Sequence, residues 1–526
     1  SRGVKHSDRV VLFMQNRPDY IVTLLALNKI GAIGVLINSS LTGDPLIHCV
    51  NSSESSLCIV GAELAPAIEE VLNELNVKGN DKFLWVSDGD SYTKPDWCIN
   101  LRSAIDISDD ANLEETNNVK AKDTAFYIFT SGTTGVPKAA IFPNVKIVAA
   151  STNISTGGYR MDHTDCMYNC LPLYHSTGLM LGLCACVRVG ASTLIKRKFS
   201  ASSFWREASE FNTTLFVYVG ELCRYLANQE PNEFEENNPI RAMVGNGLRP
   251  DLWDAFRNRF NVEMICEIYG ASEGNALFMN LLNKEKTIGM TNVDVELIKY
   301  DVAEDSIFKD SNNKYQKVEF GKPGLLINKI SDNSIFNGYT DPKESEKKVL
   351  RNVFEDDDAW FNTGDLIQEI DVGYALGRRH FQFVDRIGDT FRWKSENVST
   401  NEVAEILNGH NSITMANVYG VKVPNAEGRA GMAAFTIDPN QSVDWGDLSD
   451  FVNKNLPKYA RPVFIRIISE VDTTGTFKLK KNELRDEGYD INKHNDEIYF
   501  MMPNTDKYKK LDHEWNELIN SGKAGY

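Results

Sequence analysis

The sequence predicts an α/β chain: a large N-terminal domain of parallel or mixed sheets with covering helices, then a small, mobile α+β C-terminal domain. Three observations predict it. Short runs of buried-type residues alternate with helical segments through the first half of the chain. Its 526 residues exceed what one hydrophobic core holds, so at least two domains are expected, and 42% hydrophobic content is enough to fill ordinary globular cores. The texture changes after Phe383, where a polar, Gly-containing segment precedes a run of short strands and helices.

In chain order, Val10 to Met14 reads as a short buried strand, Asp19 to Lys29 as a helix and Gly34 to Ile37 as the next strand. The same rhythm recurs at Leu57 to Val60, Phe83 to Val86, Thr193 to Ile195, Leu215 to Val219 and Ile265 to Tyr269, and Asp251 to Phe260 reads as a helix. Acidic, Asn-rich stretches at Ser108 to Asn118, Asp301 to Lys317 and Glu355 to Asp358 read as solvated loops. The expected division is 1–384 for the large domain, 385–389 for a hinge, 390–502 for the small lid domain, and 503–526 for a polar tail with an amphipathic piece at Trp515 to Ile519.

Charge and cysteine usage exclude some classes. A formal charge of −17, from 56 Lys+Arg against 73 Asp+Glu, argues against nonspecific nucleic-acid binding, which needs a basic surface. The nine cysteines lack the paired spacing and neighbouring histidines of a zinc site or disulfide framework, so reduced, buried thiols in an intracellular protein are expected. Asn28, Lys29, Gly31 and Gly34 interrupt the apolar run Ile21 to Ile37, and Arg188 and Gly190 interrupt Thr177 to Ile195, so no bilayer span is expected in either. Residue 1 is Ser with no leader behind it, which reads as a fragment or a processed form.

The most informative stretch is Thr130-Ser131-Gly132-Thr133-Thr134-Gly135-Val136-Pro137-Lys138, behind the apolar run Ala125 to Phe129. Hydroxyls, glycines and one lysine describe a loop that wraps a polyphosphate with N–H groups, hydroxyls and an ammonium. It is not the loop of nucleotide hydrolases, whose lysine directly follows the second glycine. A plain Ser/Thr/Gly surface loop shares the composition; the order with Pro137-Lys138 favours a nucleotide loop.

Tyr269-Gly270-Ala271-Ser272-Glu273-Gly274 supplies an aromatic face for adenine, a hydroxyl for the α-phosphate and a carboxylate, Glu273, able to hold Mg²⁺. Taken alone it reads more readily as a tight turn with a buried tyrosine; beside the first motif the nucleotide reading prevails. Gly245-Asn246-Gly247-Leu248-Arg249-Pro250 is a glycine-rich turn that lets backbone approach a ligand. Trp360-Phe361-Asn362-Thr363-Gly364-Asp365, Asp385-Arg386, and Thr473-Thr474-Gly475-Thr476-Phe477-Lys478 complete the set. No Gly-x-Ser-x-Gly elbow is present, which disfavours a hydrolase.

These motifs resemble those of the adenylate-forming superfamily of acyl-CoA synthetases, luciferases and peptide-synthetase adenylation domains. Two longer stretches, Tyr218 to Leu226 and Asp385 to Thr400, with Lys198 to Ser202, are similar to the fatty acid transport protein / very-long-chain acyl-CoA synthetase family over nearly the whole chain. The resemblance implies an acyl-CoA synthetase-like fold and an ATP- and Mg²⁺-dependent ligase. That ligase would join a long or very-long-chain fatty acid to CoA through an acyl-adenylate, releasing AMP and pyrophosphate.

By resemblance, Gly245, Asn246 and Gly247 wall the adenine pocket, Asp365 binds the ribose, Arg386 meets the nucleotide, and Lys478 bridges the acyl carboxylate and the α-phosphate, with Lys480 as the alternative lysine. Gly388 is the pivot, where many relatives carry a charged residue. His175 lies near the acyl channel in a positioning role; Arg392 assists thioester formation; Ser395 replaces the usual glycine beside the thiol channel and implies altered CoA affinity. Family members carry an N-terminal membrane-associating segment, so the resemblance also implies peripheral membrane association at the endoplasmic reticulum, a peroxisome, a lipid droplet or the plasma membrane, with the active site facing the cytosol. Coupling to fatty acid uptake would accompany it. Two other readings stand beside this one: an adenylation enzyme serving a carrier protein, and a lipid-uptake protein without turnover.

Overall fold

The computed structural model describes the chain except residues 1–2, 90, 107, 109–110, 131–136, 302–305, 395, 427, 438–441, 470–480 and 504. Two mostly parallel sheets form the bulk of the large domain. The first runs Ile99–Asn100, Phe83–Val86, Leu57–Gly61, Arg9–Phe13, Ile33–Leu36, Thr124–Thr130, Lys138–Pro143, with only the last pair antiparallel. Arg9–Phe13 shows why its strands read as uninterrupted apolar runs: Val10 and Leu12 point into one core while Val11 and Phe13 point into another on the opposite face, and all four are buried. The helix Pro18–Lys29 covers one face with Tyr20, Thr23, Leu24 and Leu27, the 3–4 spacing of a buried helical stripe.

The second sheet runs Phe278–Met279, Met264–Tyr269, Ala242–Asn246, Leu215–Val219, Cys166–Asn169, Ser192–Ile195, parallel except at the first pair. It shares one hydrophobic core with the first sheet. An antiparallel sheet of Val295–Ile298, Gly324–Lys329, Ala359–Ile370 and Val349–Arg351 closes the large domain, and His380–Arg386 pairs with its long strand. From Phe391 onward side chains join a separate core, built on the sheet Ile413–Val421, Ala430–Ile437, Phe464–Ile467, Glu497–Met501, Tyr508–Lys510.

Several expectations are refined. The helix Pro250–Asp254 widens into a π-helical turn, Ala255–Arg259. The stretch expected as a solvated loop around Asp301 contributes a small hairpin, Tyr300–Asp301 with Ser306–Ile307, and Glu114–Asn118 winds into a short 3₁₀ helix. The expected polar tail from 503 is instead integral to the small domain. Tyr508–Lys510 extends its sheet, and the helix His513–Asn520, capped by Asp512, buries Ile519 and rests Trp515 against Phe500 at 5.1 Å. The amphipathic piece expected at Trp515 to Ile519 lies on this helix, and Tyr508, Leu511, Trp515 and Ile519 join the core of the small domain. No described helix is long and apolar enough to cross a membrane. All nine cysteines are free; burial pushes thiols such as Cys58 and Cys266 up to about 12, far from the reactive thiolate form.

Candidate active site

Thr130, Val219, Asn246 and Tyr269 are the last residues of four strands, and all four line one cavity of about 2220 Å³. Open α/β sheets bind ligands at the carboxyl ends of their strands, where successive loops diverge and leave a crevice. The antiparallel sheet adds Asp365 and Arg386 to this cavity, and the small domain adds Glu402 and Lys481.

Asp365 and Arg386 face each other across a strand pair, the guanidinium Nε 3.6 Å from Oδ1. Tyr269 donates its hydroxyl to Asp365 Oδ2 at 2.6 Å. Burial, then the adjacent Asp365 carboxylate, holds that hydroxyl far above the usual phenol range, so it stays a donor. Thr363 Oγ1 accepts from the Asp365 amide at 3.1 Å while donating to Leu326 O, and Gly364 takes φ +78°, so the Thr-Gly-Asp turn needs its glycine and aims a nearly buried carboxylate at the cavity.

Glu273 sits on the turn after Tyr269. Tyr339 donates to Glu273 Oε1 at 2.7 Å and also bonds the Thr130 side chain, which ties this carboxylate to the strand that opens the phosphate motif. At the other end of that motif, Lys138 reaches Glu344 at 2.5 Å, and Glu344 also meets Lys347. Hydrogen bonds from Lys138 and then Lys347 hold Glu344 down at about 2. Lys146 donates to the carbonyls of Ser272 at 2.7 Å and Gly274 at 3.2 Å. Burial pushes its ammonium down to about 8, opposed by the attraction of Glu273.

The wall formed by Gly245, Asn246 and Gly247 depends on absent side chains. A Cβ on Gly245 would meet Tyr218 O at 2.1 Å, and a Cβ on Gly220 would meet Gly247 O at 1.7 Å. Beneath this wall lies Glu267, 3% exposed, accepting from Tyr218 Oη, from the Gly247 amide and from the Leu248 amide at 3.2 Å. Burial outweighs those bonds and pushes it up to about 8. Ile154, Met180, Leu181 and Trp253 give the same cavity an apolar part of its lining. His175 also lines it, its Nδ1 accepting from Thr177 N at 3.4 Å.

At the joint, Gly388 borders the cavity with nothing within 4 Å of where a Cβ would stand. Asp385 is buried; its Oδ2 takes the amide of Thr400 at 2.6 Å at the head of the helix Thr400–Asn408. Lys481 and Arg485 each approach Asp389 to 3.4 Å, and Lys481 also donates to Thr400 Oγ1 at 2.8 Å.

Among the residues expected from the sequence, Thr130, Lys138, His175, Asn246, Gly247, Tyr269, Gly270, Ala271, Ser272, Glu273, Asp365, Arg386 and Gly388 thus share one cavity. Gly245 sits in its wall through the Tyr218 contact. Arg392 does not line the cavity; its guanidinium lies 3.7 Å from Asp301. Ser131, Gly132, Thr133, Thr134, Gly135, Ser395, Lys478 and Lys480 lie outside the described residues. Lys146, Glu267, Tyr339, Glu344 and Lys481 belong to the site without any local signature; each is recognisable only by the partner it meets.

Residues 1–339 match the AMP-binding enzyme family and residues 402–478 match the AMP-binding enzyme C-terminal domain. The chain is 40% identical to long-chain fatty acid transport protein 6 of Mus musculus over 528 residues, 98% of this chain and 83% of that protein. It is 37% identical to the medium/long-chain-fatty-acid–CoA ligase FadD6 of Mycobacterium tuberculosis over 525 residues, 99% of this chain and 84% of that protein. Among solved structures, ATP-bound MatB from Rhodopseudomonas palustris superposes with a TM-score of 0.76 at 18% identity, over 93% of this chain and 90% of that one. The anthranilate CoA ligase AuaEII in complex with anthranoyl-AMP superposes with a TM-score of 0.75 at 19% identity, over 92% and 88%, and at such identities both speak for the fold. The chain therefore belongs to the AMP-binding enzyme family, in its fatty acid transport protein / very-long-chain acyl-CoA synthetase branch, as an AMP-forming acid–thiol ligase.

Proposed function

We propose that this chain activates long or very-long-chain fatty acids with ATP and transfers the acyl group to CoA, at a cytosol-facing site on a membrane. One observation carries the substrate class: Glu273, Asp365 and Lys138 open onto the same cavity as the apolar wall of Ile154, Met180, Leu181 and Trp253. A nucleotide and a hydrocarbon chain can therefore meet in one cavity. A cavity of this breadth exceeds what a nucleotide alone requires.

In this reading Asp365 accepts hydrogen bonds from the ribose hydroxyls, and Arg386 moves from Asp365 toward the nucleotide. Lys138 exchanges Glu344 for phosphate oxygens. The fatty carboxylate attacks the α-phosphate, the bond to pyrophosphate breaks, and Lys478 stabilises the charge that develops there. Rotation about Gly388 then brings Arg392 toward the adenylate, where the CoA thiol attacks the acyl carbon and AMP leaves.

The donor set suits Mg²⁺. Among the described residues no cluster of three His, Cys, Asp or Glu could hold a metal alone, but a lone carboxylate next to substrate phosphates is the usual Mg²⁺ arrangement, and Glu273 supplies it. When bound, the cation would neutralise phosphate charge.

The test is ATP–pyrophosphate exchange and CoA-thioester formation across a fatty-acid chain-length series, with bile acids, amino acids and a carrier protein as alternatives. Chain-length-dependent exchange with thioester on free CoA supports the reading. Exchange only with an amino acid, thioester only on a carrier protein, or no pyrophosphate release with any fatty acid would overturn it.

A further inference from the structure

Lys146 has no place in the chemistry above, yet its surroundings are built. The helix Asn144–Asn153 follows directly on the strand Lys138–Pro143, so Lys146 rises from the same segment that carries the phosphate-loop lysine. Its ammonium stands 4.6 Å from the centroid of the Phe142 ring and lines the cavity. The two carbonyls it binds, Ser272 O and Gly274 O, flank Glu273. A turn whose carbonyls converge on one cation has its intervening side chain aimed by that cation. Tyr339 holds Glu273 from the other side at 2.7 Å, so the carboxylate is fixed between two supports that come from distant parts of the chain.

An ammonium has three N–H donors, and two are committed to these carbonyls. Among the described residues no acceptor takes the third. The group is thus a cation at the cavity wall, between the Glu273 turn and the strand leading from Lys138.

We propose that Lys146 is a positioning residue of the nucleotide site: it sets the Ser272–Gly274 turn so that Glu273 presents its carboxylate to the cation–triphosphate, and its remaining N–H goes to a phosphate oxygen. The proposal rests on the reading of Glu273 as the carboxylate that faces Mg²⁺, and the variants separate the two.

Binding of ATP to the full chain is measured by calorimetry with Mg²⁺ and with a chelator, alongside melting temperature, for Lys146→Met, Lys146→Gln, Lys146→Arg and Glu273→Gln. Loss of one charge-assisted hydrogen bond and its alignment should weaken Mg²⁺–ATP binding about tenfold or more in Lys146→Met and Lys146→Gln. Lys146→Arg, which keeps the charge and donors, should recover most of it. Glu273→Gln should weaken binding with Mg²⁺ but not with the chelator. If the Glu273 variant behaves so while both neutral Lys146 variants bind Mg²⁺–ATP like the parent chain, the proposal for Lys146 falls alone. If Glu273→Gln leaves Mg²⁺–ATP binding unchanged, the reading of Glu273 falls and the proposal with it. A lower melting temperature with unchanged affinity of the folded protein marks Lys146 as a structural lock and also overturns it. Should Lys146→Met not fold, Lys146→Gln decides.

Discussion

Replacing Glu267 by Gln should change how the stability of this protein depends on pH. Glu267 lies under the Gly247 wall, 3% exposed, and burial raises its pKa from 4.5 to about 8. A carboxyl raised in the folded state is neutral in both states below about 4.5, so its contribution is fully present there. It is lost as pH rises toward 8, because the unfolded chain releases the proton that the folded chain keeps. A difference of one bound proton between the two states changes stability by about 1.4 kcal/mol per pH unit, which sets the slope at pH 5 to 7; above pH 8 both states have lost the proton and the curve levels off. Glutamine keeps the shape, and its carbonyl can still accept from the Gly247 amide, but it does not titrate. Melting temperatures of the two proteins, measured from pH 5 to 9, should therefore differ by an amount that grows by about 1–2 °C per pH unit in favour of Glu267→Gln and is constant above about pH 8.5. The difference between the two curves cancels every other titrating group. A flat difference across the whole range would show that Glu267 is ionised in the folded protein, held by Tyr218 and the two amides, and would refute the argument from burial.

Gly220→Ala should be severe, because its Cβ would stand 1.7 Å from the Gly247 carbonyl, a backbone atom that cannot swing aside. Overpacking of this kind costs about 1–3 kcal/mol, so a lower melting temperature and weakened ATP binding are expected together; unchanged values of both would count against the close approach. Tyr269→Phe should raise the ATP KM a few-fold by releasing the Asp365 carboxylate, and Asp365→Ala should raise it more. Near-additivity in the double variant would show that the 2.6 Å hydrogen bond does not couple them. Lys478→Ala should abolish adenylate formation while sparing thioester formation from supplied acyl-adenylate; equal loss of both steps would refute the division of labour between the two half-reactions.

Much of the fold is legible in the sequence. Leu215–Val219 and Phe83–Val86 are visible residue for residue, because strands buried on both faces are compact apolar runs bounded by polar turns. The three motifs around Tyr269, Asp365 and Thr130 are visible in sequence because each is a run of particular residue types at fixed local spacing, and the structure brings these three residues to one cavity. Lys146 and Tyr339 are not, since a lysine on a helix or a tyrosine after a glycine has no distinguishing neighbourhood in sequence. Their meaning comes from Ser272 and Glu273, which lie far away along the chain. In the segment 503–526 the amphipathic piece at Trp515 to Ile519 is legible, but its docking is not: Tyr508, Trp515 and Ile519 meet only against a core that already exists.

By itself the sequence determined the doubly buried strands such as Leu215–Val219 and the local motifs that begin at Thr130, Tyr269 and Trp360, because local spacing and side-chain chemistry act over a few residues. Only the tertiary structure decided how those groups are arranged and charged. It paired Lys138 with Glu344, set Tyr269 on Asp365 and closed Lys146 around the Glu273 turn. It also kept Glu267 out of water. Coulomb attraction and desolvation depend on distance through space and on the local dielectric, and neither is written in the order of residues.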